Sequence, residues 1–269
     1  MTPRERLQER SEWVRAETLR LHARAPETRI ASSLSDVEIL VALYYGGFLD
    51  STADNQDNSE RDHLIVSKAH GAVSLYPILA DRGFFSFDEL QCLGRENGLL
   101  TAMPDCNVPG IETINGSLGH GLGVACGIAL GKRIKGLKST VFVVCGDGEL
   151  NSGAVWEAVM FAAHHRLVNV ILIVDNNRTS MLGRQKDILA LDPLEDKFTA
   201  FGWVVRTCDG HDLDALCETI AALQCEARSA PGVLIANTVK GKGVLSLEDD
   251  PLCHVRSLRP EYIEEILNR

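Results

Sequence analysis

The sequence contains no run of 18 apolar residues, so no segment is expected to cross a bilayer as a helix. Its longest apolar runs are strand-sized: residues 141–145, and residues 168–174 broken by Asn169. The opening stretch, MTPRERLQERSEWVRAETLRLHARAPETR, is charged throughout and lacks the apolar core of a secretory leader. Positive charge is also in deficit. There are 27 Lys and Arg against 37 Asp and Glu, a net charge of −10. No nucleic acid and no membrane partner is expected from bulk charge, and an anionic small ligand would need local groups to hold it. The eight cysteines (Cys92, Cys106, Cys126, Cys145, Cys208, Cys217, Cys225 and Cys253) contain no Cys-x-x-Cys pair, and several lie in apolar segments. They read as reduced thiols rather than a disulfide framework or zinc site, and the cytoplasm is the expected compartment. No repeat, low-complexity stretch or clear linker divides the 269 residues, so one domain spanning 1–269 is expected.

What is present alternates between two periods. Residues 4–24 carry Leu7, Val14, Thr18 and Leu21 near one helical face. SSLSDVEILVALYY reads as a helix with Ser35 as N-cap and Glu38 three residues on. Residues 49–62 are polar and turn-rich, HLIVSK is a short strand, and HGAVSLYPILADRGFF a helix that Pro77 is expected to kink. Residues 94–117 have no period, and a loop of that length tends to be functional. LGHGLGVACGIALGKRIKG reads as a buried helix lined with small residues. Residues 139–145 and 169–175 are near-continuous apolar strands, with Val155, Trp156, Val159, Met160 and Ala163 at helical spacing between them as core. A helix at 193–201, strand WVVRT, helix 212–227, strand GVLIANT and a terminal helix complete the pattern. Strands alternating with helices predict an α/β domain: a doubly wound parallel sheet flanked by helices.

One stretch carries chemistry. GDGELNSGAVWEAVMFAAHHRLVNVILIVDNN opens with Gly146-Asp147-Gly148 at one strand end and closes with Asp175-Asn176-Asn177 at the next. In such sheets ligands bind beyond the carboxyl ends of the strands, and one right-handed crossover sets the two turns side by side. Asp147 offers a carboxylate, Asn177 an amide oxygen and Thr179 a backbone carbonyl, a hard-oxygen set suited to magnesium or calcium. Gly148 lets backbone amides approach a phosphate at the start of the following helix. The arrangement predicts a metal-bridged diphosphate. GHGLG lacks the preceding strand of a dinucleotide fingerprint. His164-His165 reads as a solvated helix end, and Lys240 and Lys242 in VKGKG read as turn residues.

Gly-Asp-Gly, 27 residues, then Asn-Asn resembles the thiamine diphosphate signature, and the whole stretch resembles the transketolase family. RDHLIVSKAHGAVSLY, PGIETINGSLGHGLGVACGIALG and NTVKGKGVLSLEDDPLCH are similar to three further family motifs in the same order. The resemblance implies a thiamine diphosphate-binding fold, with thiamine diphosphate and Mg2+ (or Ca2+) as cofactors. It implies transfer of a two-carbon ketol unit from a ketose donor to an acceptor. By position it assigns His70 and His254 as catalytic. Cofactor contacts fall on His70, Gly116, Ser117, Leu118, Gly146, Asp147, Gly148, Glu149, Asn177 and His254, and metal ligands on Asp147, Asn177 and Thr179.

Three positions depart from the family pattern. Arg29 and Met103 stand where substrate histidines are usual, and Ser152 stands where an acidic residue is common. Arg29 and Met103 are accordingly expected to contact a non-standard substrate, since an arginine forks onto carboxylate or phosphate and a methionine makes an apolar wall. The resemblance covers only the diphosphate-binding domain, so it implies a separate subunit carrying the pyrimidine-binding and C-terminal domains. An α2β2 assembly is expected, with the small-residue helix near 118–131 as a contact surface. Two other readings stay open: a related enzyme that decarboxylates a 2-oxo acid or passes a two-carbon unit to a carrier protein, and a non-catalytic cofactor-binding scaffold.

Overall fold

The two dominant apolar runs become neighbouring strands at the centre of one sheet. A computed structural model describes residues 2–96, 98–114, 116–227, 229–248 and 250–268. Among them, β1 (His63–Val66), β2 (Val141–Gly146), β3 (Val170–Asn176), β4 (Val204–Asp209) and β5 (Gly232–Asn237) form a parallel sheet in the order β1-β2-β3-β5-β4. The helices are α1 (Pro3–Arg24), α2 (Ile30–Ser35), α3 (Val37–Tyr45), α4 (Leu75–Asp81), α5 (Gly121–Ile134), α6 (Gly153–His164), α7 (Gln185–Ile188), α8 (Leu194–Ala200), α9 (Leu213–Glu226), α10 (Leu245–Glu248) and α11 (Pro260–Leu267).

Every position of β2 and β3 is buried because helices cover both faces. Alternation sorts the side chains. Phe142, Val144, Ile171, Ile173 and Leu234 meet α1, α3, α4 and α9, whereas Val143, Leu172, Val174 and Ile235 meet α5, α6 and α8. The doubly wound parallel sheet is as expected from the sequence. No described helix is long and apolar enough to cross a membrane.

Four local expectations are corrected. Ser35 is not an N-cap. It ends α2, and its hydroxyl donates at 2.7 Å to Asp175 Oδ2, where a buried carboxylate needs donors, with the Ser32 carbonyl 3.0 Å away as the alternative acceptor. Pro77 does not kink a helix. A 3-10 stretch, Ala69–Ser74, precedes α4, and Pro77 falls in the first turn, where its missing N–H costs no bond. Helix α5 is buried on one side only: side chains placed at Gly123, Gly127 and Gly131 would meet nothing within 4 Å. Met160 is 49% exposed rather than core, while Trp156 does pack against the sheet face as expected.

The C-terminal segment returns across α1 and α2. Leu258 and Ile263 pack with Leu19, Ile30 and Leu34. A fully buried imidazole fastens this return. His22 Nε2 accepts the Leu258 N–H at 3.0 Å, and Nδ1 pairs with the Thr28 hydroxyl at 2.8 Å. Burial lowers the His22 pKa from 6.5 to about 4. The unfolded chain therefore takes a proton between those values that the folded chain refuses. The stability His22 contributes is complete above pH 6.5 and is lost as pH falls toward 4, a loss of about 3 kcal/mol. His22→Gln keeps an acceptor for Leu258 without titrating. Denaturant melts between pH 6.5 and 4 are expected to show the variant losing less stability than the wild type by up to that amount; parallel losses would refute the assignment.

Candidate active site

Strand register delivers the central pair. Gly146 of β2 lies opposite Asp175 of β3, so the turns that follow, carrying Asp147 and Asn177, leave the same edge of the sheet side by side. Both residues are almost fully buried. Asp147 Oδ1 accepts the Gly148 N–H at 2.7 Å and Oδ2 accepts the Arg178 N–H. Arg178 adopts φ 57°, the left-handed conformation that turns its N–H onto that carboxylate. Asn177 donates from Nδ2 to Asp175 Oδ2 at 3.1 Å, which fixes the amide so that Oδ1, the atom able to bind a cation, accepts the Thr179 N–H and no other donor among the described residues. Burial first, then the neighbouring Asp175 charge, pushes Asp147 up to about 7, with Lys240 and two backbone N–H groups opposing.

These residues form one wall of a cavity of about 350 Å³. Gly116, Leu118, Gly146, Gly148, Glu149 and Thr179 line it too, and His70 and His254 face them. The two imidazoles meet edge-on with centroids 5.1 Å apart. His254 Nδ1 pairs with Ser32 Oγ at 3.1 Å, while Nε2 is buried with no partner among the described residues. Burial lowers His254 to about 3, and His70 is lowered by burial and then by the Arg29 charge. Both are neutral at pH 7. Glu149 is a buried clasp: its carboxylate accepts the Gly119 N–H at 2.8 Å, the Gly146 N–H at 3.3 Å and the Ser67 hydroxyl.

Several expectations fall outside the cavity or need correction. Ser117 is exposed and does not line it. Arg29 and Met103 lie beyond the lining; Met103 is 42% exposed, and its methyl would stand 3.5 Å from a side chain placed at Gly116. Lys240 is no exposed turn residue. Its ammonium points inward, donates to the Thr179 carbonyl at 2.7 Å, and is held down to about 8, chiefly by burial. Long-range bonds aim it: Gly241 N–H to the Ala31 carbonyl, Val239 N–H to His211, and the Arg15 guanidinium to the Lys242 carbonyl. Lys68 was also missed. It lines the cavity and bonds the Ser32 carbonyl at 2.6 Å, Ser35 Oγ at 2.9 Å, Asp36 Oδ2 at 3.2 Å and Asp175. The available signal was its place, a lysine just past a strand and two residues before His70.

Among the described residues no group of three or more His, Cys, Asp and Glu is placed to hold a metal. The Asp147 carboxylate, Asn177 amide oxygen and Thr179 carbonyl make a different, hard-oxygen set, and all three residues face one cavity.

A family model described as transketolase, thiamine diphosphate binding domain, matches residues 30–269. The chain belongs to the transketolase family. A relative from Actinobacillus succinogenes, named as one subunit of an apulose-4-phosphate transketolase, is 37% identical over 96% of this chain and 93% of its own length. A 6-deoxy-6-sulfo-D-fructose transketolase subunit from Clostridium sp. is 36% identical over 95% and 92%. The transketolase of Campylobacter jejuni superimposes with a TM-score of 0.90 at 25% identity, over 97% of this chain and 42% of that one. The transketolase domain described here thus spans about two fifths of that structure and nearly the whole of the subunit-sized relatives. The same structural likeness identifies the sheet as the thiamine diphosphate-binding fold of transketolases.

Removing Lys68 should expose how much the site depends on it. Lys68→Met leaves Asp36 and Asp175 buried without their cation, and loss of one partner of a buried pair costs about 3–5 kcal/mol. Urea titration should show that loss. A cost below about 1 kcal/mol, the range of an exposed pair, would mean that the cluster is solvated.

Proposed function

We propose that this chain is the diphosphate-binding subunit of a thiamine diphosphate-dependent transketolase that moves a two-carbon ketol unit between non-standard sugar substrates. The observation that carries the reading is one cavity with a hard-oxygen wall, Asp147, Asn177 and Thr179, facing two neutral imidazoles. The residues fit the cofactor. The wall would hold Mg2+ or Ca2+ against a diphosphate, and Gly148 opens onto the same space. Lys240 would add a cation at the phosphate end. When bound, thiamine diphosphate supplies the carbon nucleophile that attacks the ketose carbonyl. This chain's part is to bind, orient and handle protons. His254 Nε2, buried without a partner among the described residues and neutral, would accept or donate a proton toward the cavity, and His70 stands beside it.

A second polypeptide belongs to this reading. Relatives of the same length are themselves named as single subunits of transketolases, and the cavity mouth is rimmed by exposed Leu118, Met181 and Leu182, an apolar lip suited to a cover. We assign to that partner the pyrimidine-binding and C-terminal domains, in an α2β2 assembly acting in the cytoplasm. The departures at Arg29 and Met103 support unusual substrates, in keeping with the apulose-4-phosphate and sulfofructose names of the relatives.

Titration calorimetry tests the site. Thiamine diphosphate should bind only with a divalent cation present, and Asn177→Ala should weaken that binding by at least about tenfold, as expected when a charged ligand loses a partner. Metal-independent binding would overturn the metal assignment. The chain alone should show no transferase activity and gain it with the partner. Xylulose 5-phosphate should be a poor donor for the assembled enzyme; turnover equal to that of ordinary transketolases would remove the substrate inference.

A further inference from the structure

Two buried lysines line the cavity, and they differ in what balances them. Lys68 lies against Asp36 and Asp175 and gives its remaining bonds to Ser32 and Ser35. Lys240 is 6% exposed, yet among the described residues its ammonium makes no ion pair and one hydrogen bond, to the Thr179 carbonyl at 2.7 Å. A buried charge without a counter-ion is costly, so its presence in a cavity wall points to an anion that completes it. The carbonyl it holds is also one of the three hard oxygens assigned to a divalent cation. That wall supplies one carboxylate, Asp147, against one ammonium, because Glu149 is turned to Ser67 and two backbone amides. A divalent ion arriving alone therefore meets a wall of no net charge, with a cation already on one of its oxygens, and like charges repel strongly where water is excluded. A diphosphate reverses both conditions: its oxygens attract the ammonium, and its charge balances lysine and metal together. The backbone on either side of Lys240 is pinned, Val239 N–H to His211 and Gly241 N–H to the Ala31 carbonyl, while the four-carbon stem is free to re-aim the ammonium.

We propose that the Lys240 ammonium holds the place of the divalent cation on the Thr179 carbonyl until a diphosphate draws it away, so that metal and diphosphate enter this chain as a coupled pair and a bare divalent ion binds poorly. The inference rests on the reading given under Proposed function for the metal wall, and goes beyond it by making one residue responsible for the order of loading. Coupling of this kind is reciprocal: the factor by which the diphosphate favours the metal is the factor by which the metal favours the diphosphate. Lys240 thus does more than add charge at the phosphate end. It makes the site selective for the metal–diphosphate pair over either component.

The experiment titrates Mn2+, which takes the same oxygen ligands as Mg2+ and reports its binding by loss of the free-ion paramagnetic signal, into the full chain without cofactor. Wild type is expected to bind it weakly. Lys240→Met removes the charge, and Lys240→Gln removes the charge while keeping an N–H for the Thr179 carbonyl; both should bind Mn2+ at least about tenfold more tightly. Lys240→Arg keeps the charge and should bind as weakly as wild type. Adding Asp147→Asn to Lys240→Met should abolish the gain, which places the ion at this wall. Calorimetry then measures thiamine diphosphate affinity with and without Mn2+, and the factor by which the metal raises it should be smaller in Lys240→Met than in wild type. Urea melts check folding, and the two neutral variants keep the test decisive if one of them fails to fold. Equal Mn2+ affinity in wild type and the neutral variants overturns the proposal, as does a gain that survives Asp147→Asn or a coupling factor that Lys240→Met leaves unchanged. If Mn2+ binds none of these proteins even with thiamine diphosphate, the metal wall itself falls and this inference with it. Binding by wild type with thiamine diphosphate, but no gain in the neutral variants without it, overturns the inference alone.

Discussion

The site depends on one buried cation. Lys68 reaches from the end of β1 into a space where Asp36, Asp175, Ser35 and the Ser32 carbonyl converge. Each contact is one bond from a working part. Ser32 pairs with His254, Asp175 fixes the Asn177 amide, and Lys68 itself precedes His70 by two residues. Burial alone would push both carboxylates up. At Asp175 burial is the largest single influence, but the Lys68 ammonium together with the Thr238 and Ser35 hydroxyls outweighs it and holds the carboxyl below the usual range, while burial keeps Asp36 raised to about 7. A desolvated pair of this kind adds little net stability compared with an apolar core of the same volume. What it contributes is registration: the junction of α2 and α3 and the ends of β1 and β3 converge on one charge.

Much of this was legible in the sequence, for a definite reason. Residues 141–145 and 170–174 are apolar without alternation, which occurs when both faces of a strand are covered, and both became fully buried neighbours. Once those strands are adjacent, the spacing from Asp147 to Asn177 leaves little freedom, because a single crossover returns the chain to the same edge. Lys240 was not legible. Lys-Gly-Lys-Gly is a turn signal whether its first lysine faces water or the cavity, and the choice was made by Ala31, His211 and Arg15, far away in the chain. The open face of α5 was misread for a related reason. Glycines at 123, 127 and 131 permit close packing, but permission carries no information on whether a neighbour is present. Ser35 looked like a cap because hydroxyls favour helix starts; a buried carboxylate on another strand claimed it instead.

The electrostatic order of the cavity also decides what its histidines can do. Protonated, His70 and His254 would stand against the positive charges of Arg29, Lys68 and Lys240. Burial and those cations together hold both imidazoles neutral. A neutral ring has one nitrogen that donates and one that accepts. In His254 the paired Nδ1 faces the Ser32 hydroxyl, and Nε2 has no partner among the described residues. The Ser32 hydroxyl can donate to or accept from Nδ1, so the tautomer of His254, and with it whether Nε2 accepts or donates, follows the direction of one rotatable O–H.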